Sequence, residues 1–421
     1  MKSGTWGMVT GLGLAAACGN AHATFSYAFV FGDPTTDITK VASTAFIDGA
    51  MRLTTDAGQH GALWYNSKQK VDTGFQTTFS FRIDDGPTVA IPGDGFAFVL
   101  HDDPNGASAI GGGGSSLGYA PGDVGGTFYE ITRGVAIEFD TFGFEGEFPV
   151  PHVSIQAPGD SGDAASLAHA TLSDLGIDIL DGQNHTAAIQ YVAPEGVNPG
   201  ELSVYIDYVL VCTAAIDLHD ISGEDFTDID GNMYVGFTAG TGLADSVHVI
   251  NDWAFLDDLS TCAPPVWHLA SWGGCGYGCE FSTNLRVYGS LPTTFQWFHN
   301  GVEITDDDGG RIQGLGTDSL RIHNPQPPDS GHYYCVVSND CGSITALKVP
   351  LGPCMADLDD GNALGVPDGG IDINDLLYFL AMYEAGNLSA DIDDGNGWGI
   401  GDFGVDINDL LFFLDHYEAG C

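Results

Sequence analysis

Pro92-Gly93-Asp94-Gly95-Phe96-Ala97-Phe98-Val99-Leu100 decides the fold when read with two later runs, Val135-Ala136-Ile137-Glu138-Phe139-Asp140-Thr141-Phe142 and Pro151-His152-Val153-Ser154-Ile155. Each run alternates apolar and polar residues with period two, the pattern of a half-buried strand. Each also sets a carboxylate or an imidazole where a strand meets a loop. Such a group costs free energy when buried alone, so its chemistry points to a metal or a polar ligand. Outward from these runs, short alternating segments separated by Gly, Asp, Asn and Pro continue from Thr24 to about Asp257, among them 75–83, 186–191, 202–208 and 233–239. No long amphipathic helix interrupts them, which predicts a large antiparallel sandwich of two sheets. The run 248–255 predicts a last strand that closes the sandwich beside the N-terminal one.

A chain of 421 residues exceeds one typical core and predicts two to four domains. Lys and Arg total 11 against 57 acids, a formal charge of −46, which argues against nucleic acid or an anionic membrane surface as partner. The structural alternative is a solvated acidic surface. Lys2, the apolar stretch 8–17 and Ala21-His22-Ala23 read as a secretory signal over 1–23, cleaved before Thr24, and predict a secreted protein, with cell-surface association left open. A lipoprotein site at Cys18 is the alternative. No stretch is long and apolar enough to span a bilayer. Of nine cysteines, eight remain after such cleavage; an even number in an exported chain implies disulfides, and the sequence does not choose the pairing.

Residues 259–352 form a second unit. Gln296-Trp297-Phe298-His299 reads as a strand with an inward Trp. Tyr333 stands two residues before Cys335, which resembles the tyrosine corner and second cysteine of the immunoglobulin fold. Leu285 occupies the place expected for the first cysteine, so Cys335 pairs with Cys279 or Cys341 or stays free. A spacer is the expected role.

Residues 353–421 repeat with a period of 34 residues: Asp357, Asp359, Asp360, Gly361 and Asn362 match Asp391, Asp393, Asp394, Gly395 and Asn396. After each loop, apolar residues at Leu376, Leu377, Phe379, Leu380 and Tyr383, and at Leu410, Leu411, Phe413, Leu414 and Tyr417, draw one stripe per helix, so the helices can pack together. Calcium loops place acidic oxygens at the first, third, fifth, ninth and twelfth positions and a carbonyl at the seventh. Asp357, Asp359, Asp368, Gly370, Asp372 and Asp375 fill that order, as do Asp391, Asp393, Asp402, Gly404, Asp406 and Asp409, each with an insertion between the third and fifth positions. Converging carboxylates repel unless a cation joins them. The arrangement resembles the paired calcium loops of dockerin modules, a small α-helical, EF-hand-like fold. That resemblance implies Ca2+ and a cohesin-like or cell-surface docking partner; a self-contained calcium-stiffened terminus is the alternative.

The three opening runs, in this order, resemble the L-type (legume-type) lectins, and the resemblance covers about 24–258. It implies a mainly β protein with a concanavalin-like jelly-roll sandwich that binds glycans or glycoconjugates through calcium-ordered loops. By resemblance, Asp94 accepts hydrogen bonds from sugar hydroxyls after a cis peptide at Gly93. The run 111–119, rich in glycine, contributes a backbone N–H from Gly113 or Gly114. The loop Thr241-Gly242-Leu243-Ala244 sets specificity. Glu138, Asp140 and His152 match the family's metal ligands, Phe142 offers its carbonyl, and Glu147 stands where the family has an Asp; a second divalent metal beside Ca2+ is compatible with this set. Phe144 stands where the family has an Asn that binds both calcium and sugar. An aromatic ring coordinates nothing, and its other role is a platform against a sugar face. The structural alternatives are a satisfied core histidine at 152 and a strand-surface acid at 138.

The resulting expectation is a secreted, non-catalytic carbohydrate-binding protein. The alternatives are an adhesion protein whose head has lost sugar binding and a glycoside hydrolase of the laminarinase type, which uses the same sandwich. Hydrolases of that kind carry Glu-x-Asp-x-x-Glu; here Glu138 and Asp140 are followed by Gly143, so the third carboxylate is missing.

Overall fold

A computed structural model describes residues 6–9, 25–29, 32–34, 36–87, 91–143, 148–156, 166–195, 199–218, 230–257, 264–273, 280–326, 329, 331–351, 356–365, 370–393, 395 and 404–419. The chain divides into two compact units, one over residues 19–261 and the other over 1–18 with 262–421.

The first unit is a sandwich of two eight-stranded antiparallel sheets. The front sheet runs Ser166–Thr171, His152–Gln156, Gly134–Asp140, Gly95–His101, Asn232–Gly240, His60–Tyr65 and Ile38–Ala42, with Gln69–Lys70 also paired to Asn232–Gly240. The back sheet runs Val209–Ala215, Glu201–Ile206, His185–Val192, Phe75–Asp85, Ser246–Asp257, Ala50–Thr54 and Ala45–Ile47. Ser246–Asp257 also pairs with Phe25–Ala28, so the last strand closes the sheet beside the N-terminal one. Aromatic residues at alternate positions fill the space between the sheets. Phe96 stacks on Phe139 at 4.5 Å, Phe79 meets Phe237 edge-on at 4.8 Å, and the buried Trp253 indole donates to Thr77 Oγ1 at 2.9 Å.

The opening strand differs from its expected half-buried state. Every residue of Gly95–His101 is buried. Phe96, Phe98 and Leu100 enter the main core. On the other face, Ala97 and Val99 lie with Ala62, Ala136, Leu117 and Tyr119 in a second apolar layer. Small side chains on that face leave room for the loop 111–120 to cover it.

In the second unit, Val266–Gly273, Glu280–Tyr288, Ser319–His323 and Ile312–Gln313 form one sheet, and Val302–Glu303, Thr294–His299, Gly331–Asn339 and Gly342–Leu351 another. Trp6–Val9, inside the segment read as an export signal, pairs antiparallel with Val266–Gly273. Trp297 is buried and donates to Thr317 O at 2.9 Å; Tyr333 donates its hydroxyl to Asp329 O at 2.7 Å, the geometry of a tyrosine corner. Cys335 sits opposite Trp297 and is free, and burial pushes its thiol up to about 12. Neither pairing expected for it forms: Cys341 is in a disulfide whose other half lies outside the described residues.

The only α-helices among the described residues are Ile373–Glu384 and Ile407–Ala419. Phe379 stacks on Phe413 at 4.1 Å, so the repeat packs on itself as its stripes predict. Two of the five residues in each stripe do otherwise. Leu377, Leu380, Leu411 and Leu414 are exposed, because the inward face is already filled by Phe379, Phe412, Phe413, Ala390 and Ile392.

Candidate functional site

Asp94 enters the front sheet through a cis Gly93–Asp94 peptide and is 3% exposed. Its backbone is tied on two sides: its N–H donates to Gly240 O at 3.1 Å, and its carbonyl accepts from Thr141 N at 2.9 Å and Thr141 Oγ1 at 3.0 Å. Two loops converge on its carboxylate. A methyl group added at Gly242 would lie 3.1 Å from Asp94 Oδ2 and 3.6 Å from Gly114 Cα; one added at Gly114, whose φ is +61°, would lie 3.9 Å from the same oxygen. Glycine at both positions therefore lets the two loop backbones close over the carboxylate, which they cover from solvent. Gly93 is closely packed as well, since a methyl group there would meet Ala244 Cβ at 2.7 Å and Phe142 Cβ at 2.9 Å.

The structure thus brings together Asp94, Gly114, Gly242, Ala244 and Phe142. Gly113 turns the other way, with Gln59 O and Val124 Cγ2 as its neighbours. Thr241 is buried and its hydroxyl donates to Asp56 O at 2.7 Å and accepts from Gln59 N at 2.9 Å, which places it as a brace of the loop. Leu243, at 94% exposed, stands out from the loop's tip. Phe144 and Glu147 lie outside the described residues.

A third loop, 55–59, was not singled out by sequence. Its Gly58 N–H donates to Gly242 O at 3.0 Å, Thr241 N–H donates to Gln59 O at 2.9 Å, and Gly114 N–H donates to Thr241 O at 3.2 Å. Next to it, His60 Nδ1 lies 2.8 Å from Gly111 O. The one sequence signal was the Gly58-Gln59 turn between two strands, which carries no chemistry by itself.

Glu138, Asp140, Ser154 and His152 share one face of the front sheet, with Glu138 opposite Ser154 and Asp140 opposite His152. Glu138 is buried, not a surface acid, and accepts from Tyr119 Oη, Ser154 Oγ and Gln156 Nε2. Asp140 Oδ1 accepts the Phe142 N–H at 2.9 Å. His152 is buried with its ring edge-on to Phe148 at 5.6 Å. Among the described residues, no three His, Cys, Asp or Glu side chains gather closely enough to hold a metal ion. Within the head's donor set, Glu138 is poorly suited to a hard divalent cation, because its carboxylate already accepts three hydrogen bonds from neutral protein groups.

In the tail, Asp357, Asp359, Asp375, Asp391, Asp393 and Asp409 are all buried. Asp375 Oδ1 accepts from Leu358 N at 2.6 Å and Asp359 N at 2.8 Å, and its Oδ2 from Asp372 N at 2.7 Å. Asp409 repeats these contacts with Ile392, Asp393 and Asp406. Burial pushes both carboxyls up, aided by the nearby Asp372 and Asp406 charges and opposed by the N–H donors. Asp359 goes the other way: burial raises it, but N–H groups of Gly365, Ala363, Gly361 and Leu364 together hold it below the usual range. Asp372 and Asp406 are exposed at the helix starts, as are Gly370 and Gly404 in the loops; Asp368 and Asp402 lie outside the described residues. Residues 349–421 contain no Lys or Arg, and six of the segment's carboxylates are buried. Carboxylates are the donors that a hard divalent cation takes, but among the described residues no three of these converge on one point.

A jelly-roll sandwich with a buried Asp between a glycine-rich loop and a loop before the last strand defines a lectin of the legume class. The legume lectin domain matches residues 22–264, more than half the chain, and the chain belongs to that family. An immunoglobulin I-set domain matches residues 275–348. An L-type lectin-domain containing receptor kinase S.7 of Oryza sativa subsp. japonica is 27% identical over 216 residues, covering 47% of this chain and 27% of the relative, so the chain spans about a quarter of that relative's length. Contactin-5 of Gallus gallus is 37% identical over 73 residues, 17% of this chain and 7% of its own. Among solved structures, a winged bean acidic lectin complexed with methyl-α-D-galactose is 22% identical over 55% of this chain and 97% of its own, with a TM-score of 0.43. The VIP36 exoplasmic/lumenal domain in its Ca2+/Man3GlcNAc-bound form is also 22% identical, over 53% and 86%, with a TM-score of 0.39.

Proposed function

We propose that this chain is a secreted, non-catalytic glycan-binding protein whose lectin head is joined to an immunoglobulin-like spacer and a calcium-loaded tail. The observation that carries the reading is the buried Asp94 carboxylate, held after a cis peptide where the glycines of two loops converge on it. A carboxylate there accepts hydrogen bonds from sugar hydroxyls, and backbone N–H groups of the glycine-rich loop supply donors. On a glycan array, the full-length protein should retain a restricted set of sugars, and Asp94→Ala should weaken retention by about a hundredfold, the effect of losing two charge-assisted hydrogen bonds. Asp94→Asn, which preserves shape, serves as the folding control. Silence of the wild-type protein across the array would favour the adhesion reading instead.

A hydrolase is the less supported alternative, because Glu138 is locked by three hydrogen bonds beneath the loop. Assays on common β-glucans should show no turnover above buffer; turnover abolished by Glu138→Gln would overturn the binding reading. In the tail, Ile373, Leu377 and Leu380 on one helix and Ile407, Leu411 and Leu414 on the other are exposed at spacings of four and three residues. Those two apolar stripes support a protein-docking role, cohesin-like or cell-surface, for the tail.

A further inference from the structure

Glu138 holds the glycine-rich loop through the loop's own tyrosine. Tyr119, which follows Gly118 at the end of that run, is 5% exposed and donates its hydroxyl to Glu138 Oε1 at 2.5 Å. The other oxygen accepts from Ser154 Oγ at 2.5 Å and from Gln156 Nε2 at 2.9 Å, both on the neighbouring strand. A carboxylate offers about four lone-pair sites, so protein donors take most of this one. A calcium ion requires roughly six to eight oxygens at about 2.3–2.6 Å, and protons aimed at the carboxylate obstruct such a shell.

The loop above is closed by direct hydrogen bonds. Gly111 N–H donates to Gly118 O at 2.6 Å, Gly118 N–H to Gly112 O at 2.8 Å, and Gly112 N–H to Ala120 O at 2.8 Å. Gly111 sits against the Tyr119 backbone, where an added methyl group would come within 2.3 Å of the carbonyl carbon. Fixing Tyr119 therefore fixes both ends of the loop that carries Gly114 to Asp94. We infer that the Tyr119–Glu138 network, in place of a bound divalent cation, sets the shape of the sugar site, so that the head binds glycan with divalent ions removed. Tyr119 and Glu138 are positioning residues in this scheme.

The inference rests on the glycan-binding reading, so its test has two arms. In the first, the full-length protein is titrated with a glycan it retains, in excess EDTA and then in excess calcium. Affinities should agree within about twofold, and Tyr119→Phe should bind about tenfold more weakly in both, the loss of one hydrogen bond to a charged group. Binding that vanishes in EDTA and returns with calcium overturns the inference while the lectin reading survives. The second arm follows amide hydrogen exchange of residues 111–118 without sugar. EDTA should leave wild-type protection unchanged. Tyr119→Phe should speed exchange there about tenfold, with residues 95–101 unaffected, a local effect that general destabilisation would not give. Protection that depends on calcium, or that ignores Tyr119→Phe, overturns the inference. If no glycan is retained under any condition, the sugar reading falls, and the exchange arm still decides what orders the loop.

Discussion

Acidification from pH 7 to pH 5 is expected to remove about 4 kcal/mol from the stability of the lectin head, through two histidines buried in the neutral form. Burial pushes His101 down to about 4, outweighing the nearby Asp103 and Asp102 charges; its Nδ1 accepts the Asp103 N–H at 3.1 Å, and its ring packs edge-on against Trp64 at 4.3 Å. His248, with Nδ1 2.7 Å from Thr54 Oγ1, is pushed down to about 3 by burial alone. Both values lie below the unfolded value of 6.5, so the unfolded chain binds more protons in this window and stability falls with pH. Each site contributes roughly 1.4 kcal/mol per pH unit below 6.5, ending near pH 4 for His101 and near pH 3 for His248. His185 works in the opposite direction and offsets part of this. Its hydrogen bonds and charge pairing with Asp207 and Asp181 outweigh burial and raise it, so its stabilisation is complete below 6.5, declines as pH rises from there through its folded value, and is regained on acidification from pH 7. Denaturant titrations at pH 7, 6 and 5, followed by fluorescence of the buried Trp64 and Trp253, would measure the slope. His248→Gln should roughly halve it. A midpoint independent of pH would sink the argument.

Asp375→Ala and Asp409→Ala should each unfold the tail. Each carboxylate satisfies three backbone N–H groups, two of them at the buried entry to its loop. Leaving three donors without an acceptor costs about 3–6 kcal/mol, at the limit of what a core this small supplies. Helical circular dichroism reports on the tail, because the α-helices among the described residues lie there. Asp375→Asn keeps one acceptor and should lose about half as much. Calcium should raise the melting temperature of the wild-type tail, and EDTA should lower it, since cation binding to the folded state offsets the repulsion among buried carboxylates. Retained helicity in both alanine variants would show that these caps do not hold the module.

The sugar-site elements legible in the sequence were those with local signatures. Asp94 precedes a strand of period two, Gly114 lies in a run of four glycines, and Gly242 lies in a short turn before the last strand. The aspartates of the tail were legible because their spacing repeats. The braces were not: Gln59 and Thr241 meet across 182 residues of chain, and no local pattern announces such a bond. Tyr119 stood at the end of the quoted glycine run, yet its partner Glu138 read as a metal ligand or a surface acid, since sequence does not show which donors surround a carboxylate.

By itself, then, the sequence determined the order of strands, the turns between them, the tyrosine corner and the doubled acidic loops. These follow from backbone propensity, side-chain alternation and turn chemistry, which act within a few residues. Only the tertiary structure decided that the strand Gly95–His101 is covered on both faces, that Cys335 stays free opposite Trp297, and that Glu138 is joined to Tyr119. It also decided that Leu377 and Leu411 face solvent while Phe379 and Phe413 meet. Each depends on which distant segment fills a given space, and packing volume and hydrogen-bond satisfaction choose that only once the whole chain has folded.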